Sequence, residues 1–289
     1  MAADRPTLQL LAGAAMISFA PVFVKLVSLA PTASAFYRTA IGGVVLIAWV
    51  ATRTRAAVAR SRTAWLFMAA AGVLFAADLA AWHRSIWYIG PGLATLLGNF
   101  QVFVLALVGV FVYGERARPT LWLAIFMALA GLVLIVGTEW SALEHDYRWG
   151  VIFGLLTALA YAAYILALRR ARQASPQGSA AADLGIISLL TAVVLFASAS
   201  VGGDGIPLPD TVDASLLAGY ALVAQVFGWL LISRSLPRVP ASRAGLALLL
   251  QPTLAFVWDV LFFATPFSAR QVAGAMLAIA AIGIGSRRA

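Results

Sequence analysis

The stretch "DLAAWHRSIW", Asp78 to Trp87, sets a carboxylate, an imidazole, a guanidinium and a hydroxyl inside a run that is otherwise apolar. An acid and an imidazole that face each other could share a proton; a buried acid alone could carry a proton or hold an amine. Helical spacing separates these cases. Asp78, Trp82 and Ser85 fall on one face, whereas His83 and Trp87 form a second pair turned away from it. The stretch is therefore no catalytic dyad. Asp78 keeps two readings, a carboxyl that locks two helices and a site for a proton or a substrate amine. His83 reads as an interhelical donor or a proton carrier. Arg84 lies a turn from the span end and can snorkel to the surface. An ionised group near a bilayer centre costs about 3 kcal/mol, so such groups face a partner or a cavity.

The elements that position these groups follow from composition. Of 289 residues 63% are hydrophobic and only 11% charged, an excess for a soluble core but suited to membrane spans. The net charge of +9 comes from 20 Lys+Arg against 11 Asp+Glu, and Lys25 is the one lysine. The arginines sit in short gaps between apolar runs, which fits a membrane boundary and argues against nucleic acid. With no cysteine, disulfides, thiolate metal sites and Cys nucleophiles are excluded. His83 and His145 lie far apart, and no phosphate-cradling Gly loop or His-x-x-x-His pair occurs. No catalytic residue, metal or cofactor is expected. The first apolar run, after Arg5 and Pro6, reads as a retained span rather than a signal peptide.

Ten apolar segments, near 8–27, 33–52, 64–87, 92–113, 119–138, 149–169, 181–202, 213–234, 241–263 and 269–287, are each long enough to cross a bilayer at about 1.5 Å per residue. Turn residues separate them: Ala30-Pro31, Gly90-Pro91-Gly92, Pro176-Gln177-Gly178 and Gly202-Gly203-Asp204-Gly205. With the N-terminus in the cytoplasm, Arg53, Arg55, Arg60, Arg62, Arg116, Arg118, Arg169, Arg170, Arg172, Arg234, Arg238, Arg287 and Arg288 all fall inside. Glu139, Glu144, Asp146, Asp204, Asp210 and Asp213 fall outside. Trp49, Trp65, Trp87, Tyr88, Trp140 and Trp149 fall near span ends, as an aromatic belt requires. The fold class expected is an all-α integral membrane protein of the cytoplasmic (inner) membrane with both termini cytoplasmic.

Residues 84–137 align without gaps on 234–287. Arg84-Ser85 falls on Arg234-Ser235, Gln101 on Gln251, Val110 on Val260 and Ala128 on Ala278, with Ala94 and Leu96 on Ala244 and Leu246. Two glutamines inside spans, each preceded at the same distance by Arg-Ser, carry more weight than alanine matches. Five spans used twice enter the membrane from opposite sides, so the expectation is two inverted five-helix repeats, residues 1–140 and 141–289. That plan suits a carrier with its site at the midplane between the halves; the alternative is a duplication kept for packing.

The segment Asp78 to Arg116, with Gly114-Glu115-Arg116 at its end, resembles the first-half signature of the drug/metabolite transporter superfamily, EamA type. Gly245 to Phe263, with Pro252, resembles the second-half signature. The resemblance covers nearly the whole chain and is specific for the superfamily but weak for substrate. One departure is Val102, where the family often has proline, so the first half is expected to bend less at that point. The resemblance implies export of amino acids, metabolites or drugs, coupled to protons in some members and including aromatic amino acid exporters. Implied partners are a small-molecule substrate and the lipid bilayer, and the chain is expected to be a monomer.

The polar residues within spans give the candidate cavity: Asp78, Trp82, His83, Thr95, Asn99, Gln101, Tyr161, Tyr164, Gln225, Trp229, Gln251 and Trp258. Thr157, Tyr161 and Tyr164 share one face, as do Thr95 with Asn99, Gln225 with Trp229, and Gln251 with Trp258. Such stripes serve packing or an apolar ligand in a mostly apolar cavity. Asp259, near a span end, reads as solvated or paired. Pro21 and Pro252 sit within spans as candidate kinks. Ala124-x-x-x-Ala128 and Gly274-x-x-x-Ala278 read as close-packing seams. A membrane enzyme would need a nucleophile and base or a metal cluster, and a scaffold would not need an inverted repeat, so a secondary transporter is the leading reading. The topology is checked by a reporter fused after Ala289: cytoplasmic signal is expected, and a periplasmic signal overturns the ten-span orientation.

Overall fold

The computed structural model describes residues 5–53, 60–114, 119–136, 143–175, 177, 179–202, 205–235, 238–239 and 247–285. Arg55, Glu115, Arg116, Arg118, Glu139, Trp140, Pro176, Gly178, Gly203, Asp204, Ala244, Gly245, Leu246, Arg287 and Arg288, used above, lie outside the described residues. Every regular element among the described residues is helical. In chain order they are α1 (Arg5–Ser18), α2 (Ala20–Leu26), α3 (Pro31–Arg53), α4 (Arg62–Gly98), α5 (Gln101–Phe111), α6 (Pro119–Val136), α7 (His145–Ala174), α8 (Ala180–Gly202) and α9 (Thr211–Tyr220). A π-helical segment (Ala221–Gly228) then leads into α10 (Trp229–Ser235), α11 (Leu250–Phe263) and α12 (Ala269–Gly285). Seven stretches among the described residues are long and apolar enough to cross a membrane, and α11 and α12 are shorter apolar helices.

One of those stretches, Arg62–Phe111, is 50 residues long, more than twice what a crossing needs. It is not one rod. Gly90 breaks it with φ 82° and ψ 164°, a conformation that only glycine adopts freely. Pro91 follows and cannot donate to the preceding turn. The freed N–H of Gly92 donates to Asp259 Oδ2 at 2.7 Å, and Thr265 Oγ1 donates to Asp259 Oδ1 at 2.6 Å. Asp259 is fully buried, so of its two readings, solvation and pairing, the structure takes pairing. A Cβ on Gly90 would lie 2.7 Å from that carboxylate, so glycine is needed for space as well as for φ.

A second interruption, at Asn99 and Phe100, falls just before Val102, where the first half is expected to bend less. No proline is required. The Asn99 amide donates to the Thr95 carbonyl at 2.8 Å, and the backbone tightens to 3₁₀-type bonds, Phe100 N–H to Leu97 O and Val102 N–H to Asn99 O. Leu249 interrupts the chain ahead of α11 at the repeat-related position, and Pro252 sits in the first turn of α11 rather than mid-helix. Near the N-terminus, α1 and α2 part at Phe19, with Pro21 in the first turn of α2.

Three pairings dominate: α4 along α7, α6 along α12, and α3 along α8. Each joins a helix before residue 140 to one after it, so the two halves of the chain interlock. The α6–α12 contact brings the two small-residue seams face to face. A Cβ on Gly131 would lie 2.8 Å from the Gly274 carbonyl, and one on Gly274 would lie 2.7 Å from the Gly131 carbonyl. Ala124, Ala128, Ala275, Ala278 and Ala281 are buried around them. Without a hydrophobic drive between helices in lipid, such close backbone approach supplies the association. The opposite face of α6 exposes Trp122, Phe126, Leu129 and Val133, as a lipid-facing surface does.

Gly131→Leu should force α6 and α12 apart and cost on the order of 1–3 kcal/mol, the usual range for overpacking. Thermal unfolding in detergent should show a lowered midpoint for it and little change for Leu129→Ala on the lipid face. Equal effects of the two would remove the seam from the account.

Candidate functional site

A partly open cavity lies where these pairings cross. Its walls come from α1 and α2 (Ser18, Pro21), α3 (Arg38), α4 (Phe75, Asp78, Trp82, Thr95, Asn99), α7 (Thr157, Tyr161), α10 (Trp229) and α11 (Gln251). Broken backbone lines it: the α1–α2 junction and the Asn99 interruption both border the space, which is where irregular backbone is tolerated at membrane depth.

Arg38 is its most consequential member. It is 4% exposed, within a helix whose neighbouring residues are mostly apolar. Its Nε donates to Gln225 Oε1 at 2.9 Å and its Nη1 donates to Tyr220 Oη at 2.8 Å. The guanidinium also stands over the Tyr220, Phe75 and Trp82 rings at 4.8, 5.9 and 6.0 Å. Gln225 is held in turn by Ser188: its Nε2 donates to Ser188 Oγ at 2.9 Å, and Ser188 Oγ donates to the Leu184 carbonyl at 2.7 Å. Gly42, one turn beyond Arg38, makes room, since a Cβ there would lie 2.5 Å from Gln225 Cγ.

His83 completes the network and stays off the cavity wall. Nδ1 is 3.1 Å from the Pro31 carbonyl, and Nε2 is 3.1 Å from Tyr220 Oη. One assignment uses every group: Nδ1–H donates to Pro31, Tyr220 O–H donates to Nε2, and Tyr220 Oη accepts from Arg38. His83 therefore positions Tyr220, which positions Arg38. Arg84 donates to the Ala80 carbonyl and to Thr32 Oγ1, and Ser85 Oγ donates to the Gly150 carbonyl at 2.8 Å. The polar crowd after Asp78 thus ties α4 to α3 and α7.

Of the twelve sequence candidates, Asp78, Trp82, Thr95, Asn99, Tyr161, Trp229 and Gln251 line the cavity, and five do not. His83 and Gln225 stand behind it in the Arg38 network. Tyr164 lies a layer deeper, stacked on Phe75 at 4.6 Å and on Tyr161 at 5.8 Å. Trp258 stacks on Phe19 at 4.6 Å and donates to Ser18 Oγ at 2.9 Å, so it backs a lining residue. Gln101, first residue of α5, is off the wall, while its repeat partner Gln251 is on it. Gln225 lies in the π-helical segment and turns to Arg38, while Trp229, first residue of α10, lines the cavity. Arg38 is absent from the set because span periodicity selects faces and loop tallies absorb arginines. A lone guanidinium within an apolar span was the available signal.

The EamA-like transporter family model matches residues 6–137 and 148–286, nearly the whole chain. The chain belongs to the EamA-like transporter family. That family is part of the drug/metabolite transporter superfamily. The chain is 29% identical over 181 residues to YhbE of Escherichia coli (strain K12), described as an uncharacterized inner membrane transporter, covering 60% of this chain. That match spans about half of YhbE, 54% of its length. It is 25% identical to the uncharacterized transporter YwfM of Bacillus subtilis (strain 168), covering 90% of this chain and 87% of YwfM. It is also 25% identical to a probable amino-acid metabolite efflux pump of Salmonella typhimurium, covering 67% of this chain and 66% of that protein. A solved crystal structure at 18% identity superposes with a TM-score of 0.66 over 97% of this chain and 96% of that one, which shows a shared fold.

In this chain the Arg38 network joins α3, α4, α8, α9 and the π-helical segment through consecutive hydrogen bonds. Gln225→Leu should leave Arg38 Nε and Ser188 without their partner and cost about 1.5–3 kcal/mol, the range for a hydrogen bond to a charged group. Ser188→Ala should cost less, because Gln225 keeps Arg38. Unfolding midpoints in detergent that rank the two the other way would break the chain of dependence.

Proposed function

We propose that this EamA-like transporter is a secondary carrier that exports amino acids or related small metabolites by alternating access through the central cavity. The observation that carries the reading is that a mostly apolar cavity holding Arg38 and Asp78 sits among helices from both halves of the chain. A packed structural duplication would not need charged groups in its seam. The amino-acid class is supported by the description of the Salmonella relative as a probable amino-acid metabolite efflux pump. Aromatic and amide side chains on the same wall, Trp82, Tyr161, Asn99 and Gln251, suit a ligand that is partly apolar.

In this reading the chain crosses the inner membrane ten times as two inverted repeats, 1–140 and 141–289. Two features support it: the family match falls on two separate stretches, and α6 and α12 start at positions related by the repeat alignment. Arg60 and Arg172 gather on Asp183, and Arg53 and Arg234 lie over the Trp49 ring. Ser179 and Leu184, flanking Asp183, share a small pocket with Trp49 and Arg234, so these arginines mark one end, which the reading makes cytoplasmic. Pro21 and the Leu249–Pro252 interruption are the bends about which access alternates. The working unit is a monomer and the substrate a small molecule. Protons are the coupling partner in this reading, exchanged at Asp78, which is faced by Arg38 from α3 and by Tyr161 and Tyr164 from α7.

The chain has no native cysteine, so single cysteines report cleanly. Cysteine at Trp82, Tyr161 or Gln251 should react with a small hydrophilic thiol reagent and be protected by substrate, while cysteine at Leu129 should do neither. Proteoliposome counterflow with labelled amino acids, purine metabolites and sugars should give exchange with amino acids, accelerated by an imposed pH step. Exchange confined to sugars or purines overturns the substrate class, and indifference to the pH step overturns the coupling.

A further inference from the structure

Two ionisable groups of opposite charge reach the same cavity and do not neutralise each other. Arg38 and Asp78 are 4% and 5% exposed, yet no ion pair joins them; elsewhere Arg60 and Asp183 close to 2.8 Å. They are nonetheless neighbours. The Arg38 guanidinium stands over Phe75 and Trp82, which lie one turn before and one turn after Asp78 on α4.

Their remaining valences are open. Two of the Arg38 nitrogens are engaged, by Gln225 and Tyr220, and Nη2 donates to nothing among the described residues. The Asp78 carboxylate accepts from no group among the described residues; the contact made by Asp78 is through its backbone carbonyl, to Thr157. Thr95, on the same wall, has a buried hydroxyl with no partner among the described residues. Buried charges are costly unless paired, so an arrangement that holds a cation and an anion apart, each unsatisfied on the cavity side, calls for a ligand that supplies both complements. An α-amino acid zwitterion carries a carboxylate and an ammonium on one carbon, and the planar guanidinium is suited to a carboxylate.

We infer that the transporter recognises its substrate as a zwitterion, with the substrate carboxylate on Arg38 Nη2, the ammonium on Asp78, and an apolar side chain against the Phe75, Trp82 and Tyr161 rings. This rests on the cavity being the transport site. Arg38 and Asp78 then act together as the selectivity element. A ligand with one charge leaves the opposite protein charge buried and unpaired, and sites built on specific polar partners reject such analogues strongly.

The test is counterflow into proteoliposomes of the wild-type transporter, with labelled phenylalanine against equal concentrations of 3-phenylpropionate, which lacks the amine, and phenethylamine, which lacks the carboxylate. Phenylalanine should exchange at least about tenfold faster than either analogue. If phenylalanine exchanges and either analogue moves within threefold of it, zwitterion recognition is overturned while amino-acid transport stands. If no amino acid exchanges and another metabolite does, both fall. Asp78→Asn should shift the ratio of 3-phenylpropionate to phenylalanine exchange at least about tenfold toward the acid. An unchanged ratio in a folded variant removes Asp78 from recognition, and the wild-type comparison decides the proposal even where the variant does not fold.

Discussion

Placing one guanidinium inside an apolar membrane protein is the constraint on which the rest of this structure turns. Arg38 is almost wholly buried, so protein must meet most of its hydrogen bonds. Gln225 and Tyr220 meet two of them, and each needs its own support, Ser188 for Gln225 and His83 for Tyr220. These residues come from separate elements, so satisfying one cation fixes the mutual placement of α3, α4, α8, α9 and the π-helical segment. The absent side chain of Gly42 is part of the same solution, since Gln225 occupies the space.

That network explains where the helices can afford to be irregular. In lipid every backbone group must be satisfied within the protein, so breaks survive only where other groups take over. At Gly90 the Asp259 carboxylate receives the freed Gly92 N–H. At Asn99 the side-chain amide bonds the Thr95 carbonyl, and the break opens onto the cavity. The π-helical segment carries Gln225 toward Arg38 while Trp229, just beyond it, reaches the cavity. In each case a polar side chain and a local departure from α geometry occur together, and each cavity-side departure serves the site.

The distribution of small and large residues follows from the same solvent. Gly131 and Gly274 let α6 and α12 meet backbone to backbone, while Trp122 and Phe126 face outward on α6. Because the α3–α8, α4–α7 and α6–α12 pairings all join the two halves, the cavity is enclosed by an interlocked pair and not by two docked bodies. The helix breaks at Phe19, Asn99 and Leu249 lie within this interlocked pair.

The sequence by itself determined the helical membrane class, because the length and hydropathy of a run are local properties that decide whether it can cross a bilayer. It also determined the break at Gly90-Pro91-Gly92, the shared face of Asp78 and Trp82, and that of Thr95 and Asn99, since each depends on a few consecutive residues in one regular helix. Tertiary structure decided the rest. Periodicity assigns a residue to a face of its own helix but not to the neighbour that face meets, so it could not turn His83 to Tyr220 or send Trp258 to Ser18. It also assumes α geometry, which fails before Trp229 and at Asn99. Arg38 shows the limit most directly. A lone guanidinium within an apolar span signals that partners are needed, but not which ones until the helices carrying Gln225, Tyr220 and Asp78 close around it.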